Sequence, residues 1–64
     1  MDVATLADLL RETGERHHPF EQSGPEHDWA DWYASYLNAR LEESSPDQAA
    51  EAAGAYVEGV LRGR

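Results

Sequence analysis

The sequence predicts an all-α fold, a small bundle of three helices in one domain spanning residues 1–64. Three observations predict it. Apolar residues recur at helical spacing in three separate segments. The loop signal Ser23-Gly24-Pro25 and the helix start Ser45-Pro46-Asp47-Gln48 divide those segments. No stretch alternates apolar and polar residues in the manner of a strand.

The first helix begins near Val3, with Asp2 as its N-cap. At about 100° per residue, Val3, Leu6, Ala7, Leu10 and Gly14 share one arc, flanked by Leu9 and Thr13. Asp8, Arg11, Glu12, Glu15 and Arg16 fall outside it, and the arc is the expected core face. Pro19 removes a helical hydrogen bond, and its ring crowds the carbonyl four residues back. The helix therefore spans either about 3–17 or, continuing through the proline, about 3–22.

The second helix is expected over about 27–43, capped by Asp28 or begun at Pro25. Its apolar arc collects Trp29, Trp32, Tyr33, Tyr36, Leu37 and Leu41, while Asp31, Ser35, Asn38 and Glu42 point away. The third, over 46–62, has the clearest start. Ser45-Pro46-Asp47-Gln48 supplies a Ser N-cap, Pro at the first helical position, an acid in the first turn and Gln at N3. Ala49, Ala52, Ala53, Tyr56, Val57, Val60 and Leu61 then line one face. Gly54 and Gly59 each cost about 1 kcal/mol relative to Ala, so this helix leans on tertiary contacts. Gly63 is its expected stop.

Composition narrows the functional classes. Thirteen acidic residues face five arginines, lysine is absent, and the net charge is −8. Nucleic-acid binding draws on clustered cations, and the only basic cluster is Arg62 and Arg64, so nucleic acid is an unexpected partner. The same charge disfavours an anionic membrane surface, and no apolar run reaches the length of a membrane span. The expected location is cytoplasmic. With no cysteine there is neither disulfide nor thiolate metal site. A chain this short has a stability of about 3–5 kcal/mol and commonly gains more from a partner surface, so a homo-oligomer such as a dimer is expected.

Polar residues on apolar faces are the candidate functional groups. If the first helix continues past Pro19, His17 and Glu21 extend the stripe of Leu6 and Leu10. Arg40 lies in the aromatic arc of the second helix, one turn from Tyr36. The structural reading joins His17, Glu21 and Arg40 in one internal network, or stacks Arg40 on an aromatic ring. The alternative is a divalent-metal or small-ligand site in which His17 and Glu21, at i and i+4, act with His18 or His27 beside the tryptophans. Trp29, Trp32, Tyr33 and Tyr36 form either the core or, in part, a docking face. Trp29 is the candidate for exposure because it stands at the helix start. Ser23, Ser35, Ser44 and Ser45 read as loop, solvent-facing and capping residues. The sequence shows no nucleophilic frame, phosphate loop or paired acid and base, so neither enzymatic activity nor a cofactor is expected.

Asp28-Trp29-Ala30-Asp31-Trp32-Tyr33-Ala34-Ser35-Tyr36, preceded by His17 and Glu21, resembles a known helical segment. That segment is attached C-terminally to actinobacterial glyoxalase/bleomycin-resistance-like proteins of the vicinal oxygen chelate superfamily, and small free-standing relatives of it exist. The resemblance covers about Leu6 to Tyr56, and His17, Glu21, Asp31, Trp32 and Tyr33 match it residue by residue. It concerns the appendage and not the metal-binding domain, so no catalytic ligand role carries over. It implies an accessory or protein-interaction module, with a chelate-superfamily protein or a second copy as partner.

Overall fold

A computed structural model describes residues 1–63, and Arg64 lies outside the described residues. Three helices follow one another: α1 (Val3–Ser23), α2 (Trp29–Leu41) and α3 (Pro46–Arg62). Among the described residues there is no strand, and no helix is long and apolar enough to cross a membrane.

The helix starts follow capping chemistry. The Asp2 carboxylate accepts from the Thr5 amide at 2.9 Å, and the Asp28 carboxylate accepts from the Ala30 amide at 2.9 Å. At α3, Ser45 accepts from the Gln48 amide at 3.2 Å while the Gln48 side chain accepts from the Ser45 amide at 3.0 Å. This reciprocal pair is a complete capping box. α2 is shorter than its expected span of 27–43. Its start awaits the Asp28 cap, and its end turns through Glu43, whose φ is 71°. The Ser44 amide donates to the Ala39 carbonyl and the Glu43 amide to the Arg40 carbonyl, the paired bonds of a Schellman ending.

α1 continues past Pro19 to Ser23, so the longer of its two expected spans is the observed one. Pro19 itself is exposed, whereas His17 and Phe20 beside it pack inward. Their tertiary contacts outweigh a local cost of about 3 kcal/mol. Beyond Ser23 the chain turns on Gly24, whose amide donates to the Phe20 carbonyl at 2.7 Å. A side chain at position 24 would meet that carbonyl at 2.8 Å and the Phe20 ring at 3.1 Å, so the close approach requires glycine.

The core lies between α2 and α3. Trp32 and Tyr36 stack at 5.3 Å, ring centre to ring centre, and pack on Ala49, Ala53 and Val57. The alanines of α3 admit the two rings, so bulk on one helix meets small residues on the other. α1 packs mainly on α2 and touches α3 little. The Arg16–Asp47 ion pair joins α1 to the start of α3.

The expected core face of α1 requires correction. Val3, Leu6 and Leu10 are 85, 44 and 43 % exposed, and the buried residues of α1 are Thr13 and His17. The reason for Leu10 is the side of α1 that α2 meets, since Leu9 and Glu12 face Arg40 and Leu41, and for Val3 and Leu6 it is also length. At about 1.5 Å per residue α1 is about 31 Å long and α2 about 20 Å, so one end of α1 projects past its neighbour. The molecule is correspondingly elongated, 36 × 21 × 18 Å.

Candidate functional site

The polar candidates separate into two clusters along the α1/α2 interface. His17, Glu21 and Arg40 do not form one network. His17 and Glu21 lie together near the α1–α2 connection, whereas Arg40 lies farther along α2, paired with a residue assigned to the solvent face of α1.

That residue is Glu12. Arg40 Nε donates to Glu12 Oε2 at 2.8 Å and Arg40 Nη2 to Glu12 Oε1 at 3.3 Å, a forked guanidinium–carboxylate pair. The Tyr36 hydroxyl donates to Glu12 Oε2 at 2.5 Å, and Arg40 Nη1 donates to the Ser44 carbonyl at 2.9 Å. One carboxylate thus satisfies a buried phenol and a half-buried cation, and the same cation holds the end of α2. Hydrogen bonds from Arg40 and then Tyr36 hold the Glu12 carboxyl below its ordinary range. Burial, reinforced by the Glu12 contact, pushes the Tyr36 phenol up to about 12. Helix periodicity could not reveal Glu12, because its exposure depends on where α2 crosses α1. The available clue was Arg40, a cation in an apolar arc that required an acid from another helix.

The second cluster is built on His17, 4 % exposed, one turn before Glu21 on α1. Its Nδ1 is 3.4 Å from Glu21 Oε1. Its Nε2 is 2.8 Å from His27 Nε2, and His27 Nδ1 is 2.9 Å from the Pro25 carbonyl. Trp32 and Tyr33 close over His17 with ring centres at 5.0 and 5.2 Å, and Phe20 flanks His27 at 5.0 Å. Burial depresses the His17 pKa, which Glu21 opposes and His27 and His18 reinforce.

The two Nε2 atoms stand at hydrogen-bond distance, and which ring donates depends on the tautomer. Their ring centres are 5.0 Å apart with the planes 83° to each other. Among the described residues, no three His, Cys, Asp or Glu side chains gather where they could hold a metal ion.

The aromatics divide by position. Trp32 and Tyr36 are core, and the Trp32 indole N–H is buried without a hydrogen-bond partner among the described residues. Tyr33 is half-buried, its hydroxyl directed at Gly14. Trp29 is 63 % exposed, resting edge-on against Tyr33 at 5.2 Å. Trp29 is therefore not part of the core. Asp31 belongs to neither cluster. It lines an open groove between α2 and α3 with Asn38, Glu42, Ala52 and Tyr56, and its carbonyl accepts from the Ser35 hydroxyl at 2.5 Å.

No protein family, curated protein or solved structure matches this chain.

Proposed function

We propose that the protein is a non-enzymatic helical interaction module that pairs with a second copy of itself through the outer face of α1 and α2. The observation that carries this reading is the apolar stripe of α1. Val3, Leu6, Leu10, Thr13, His17 and Phe20 follow one another at alternating spacings of three and four, the pattern of a helix–helix seam. The second half of that stripe is covered within the chain, and the first half is bare. Tyr33 and Leu37 of α2, both half-buried, and exposed Trp29 extend the apolar surface beside it by helical spacing.

Charge selects the occupant. The protein carries a net charge of −8, yet the acids around this part of α1 are engaged: Asp2 caps the helix, Asp8 pairs with Arg11 at 2.7 Å and Glu12 pairs with Arg40. A basic partner would gain no acid there, whereas two copies can meet without opposing carboxylates. A standard interface of about 800 Å² per partner would cover about a fifth of the 4455 Å² surface.

The test is the solution mass across a wide concentration range, by sedimentation equilibrium. The reading expects a dimer for the wild type and a monomer of unchanged helicity for Leu6→Glu and Leu10→Glu. Both sites are already partly solvated, so the variants fold. A wild-type mass that stays monomeric at millimolar concentration refutes self-pairing. Stoichiometric binding of a chelate-superfamily protein by that monomer, lost with Leu6→Glu, would give the face to another partner.

A further inference from the structure

The contacts of His17 and His27 leave room for only certain arrangements of protons. The Pro25 carbonyl can only accept, so His27 Nδ1 carries a hydrogen. If His27 is neutral, its Nε2 is bare and must accept from His17 Nε2. If His17 is also neutral, its Nδ1 is bare, and two acceptors, Nδ1 and the Glu21 carboxylate, then face each other at 3.4 Å.

One added proton removes that conflict. His17 Nδ1–H then faces the Glu21 carboxylate at ion-pair distance, and the hydrogen between the two Nε2 atoms can belong to either ring. The whole line from Glu21 through His17 and His27 to the Pro25 carbonyl is satisfied. A second added proton puts a hydrogen on both Nε2 atoms, which oppose each other at 2.8 Å. Donor then faces donor, and the rings must part.

We infer that His17, His27 and Glu21 form an acid-sensitive latch: the imidazole pair binds one proton and fastens the α1–α2 connection to α1, and a second proton releases it. His27 is the only one of the three on the connection, whose residues 24–28 join the Gly24 turn to the Asp28 cap of α2. Release therefore frees the segment that positions Trp29 at the start of α2. The charged and titratable groups around the pair are Glu21 and His18 on α1, Glu26 and His27 on the connection, and the Tyr33 phenol on α2. α3 reaches this end where Gly54 meets the Phe20 ring. The depressed pKa of His17 agrees with resistance to the second proton. The latch is independent of what occupies the outer face.

Nitrogen-15 NMR of the imidazoles, followed from neutral to acidic pH, tests it. The Nε2 signals of His17 and His27 should move together through two resolved steps rather than independently. Through the second step, amide exchange in residues 24–28, corrected for intrinsic rate, should rise about tenfold or more while that of α3 stays constant. His27→Ala should merge the His17 titration into one step and leave the connection open throughout. Glu21→Gln keeps an acceptor without its charge and should move the first step to lower pH. Independent single-step titrations in the wild type, with exchange that ignores pH, would overturn the latch. So would stoichiometric binding of zinc or copper that His27→Ala abolishes, since a metal would then hold the two nitrogens.

Discussion

Replacing Glu12 by Ala should destabilise the protein through a residue on another helix. Glu12 is itself only half-buried, but it is the acceptor for the hydroxyl of Tyr36, whose relative exposure is 0 %. Truncation leaves that hydroxyl desolvated and unpaired, at a cost of about 1–3 kcal/mol. Against a total of about 3–5 kcal/mol for a chain this size, the loss is large. Each kcal/mol lowers the melting temperature by about 4–8 °C in so small a domain. The loss of Arg40's partner adds to the effect, and a double-mutant cycle separates the two. Tyr36→Phe removes the hydroxyl and retains the Glu12–Arg40 pair. Glu12→Ala introduced into Tyr36→Phe should cost about 1 kcal/mol or more less than it does in the wild type. Urea denaturation at neutral pH, read from midpoints at constant slope, measures all four proteins. Additive single and double changes would refute the reasoning, because the stranded hydroxyl would then carry no energy.

Gly59→Ala should raise stability by about 0.8–1 kcal/mol, since an added methyl there meets nothing within 4 Å and helix propensity acts alone; thermal melts check it. Glu43→Gly should also stabilise, by about 1 kcal/mol, because Glu43 has a φ of 71° at the position of a Schellman ending that glycine usually fills. The alkaline limb depends on Tyr36. Its folded pKa is raised to about 12, so its contribution is complete below about pH 10 and is lost as pH rises from there toward the folded value. Tyr36→Phe should flatten that limb in denaturation curves measured across alkaline pH. On the acid side, His17 is depressed, so its contribution is complete above the ordinary histidine range and is lost as pH falls through it. Glu12 is depressed as well, and its contribution is lost as pH falls below the ordinary carboxylate range. Glu12→Gln should therefore remove part of the lower acid transition and leave the histidine transition in place.

The sequence by itself determined the three helices and most of their ends, because these depend on neighbouring residues. Asp2, Asp28 and Ser45 cap through atoms two or three residues away, and Gly24 and Gly63 stop helices through local backbone geometry. It placed Trp32, Tyr36, Ala49, Ala53 and Val57 on apolar helix faces, but left Trp32 and Tyr36 between core and docking face, a choice that the packing of α2 on α3 made. It pointed to His17, Glu21 and Arg40 as unusual, because ionisable groups on apolar faces need partners. Only the tertiary structure decided which partners. Arg40 met Glu12 and His17 met His27 through the relative placement of α1, α2 and their connection, which no local rule sets. It likewise decided that Val3, Leu6 and Leu10 stay bare. Their periodicity is that of a core stripe, but a stripe is buried only on the side that a neighbour meets and only as far as it reaches, and α2 is eight residues shorter than α1 (21 minus 13).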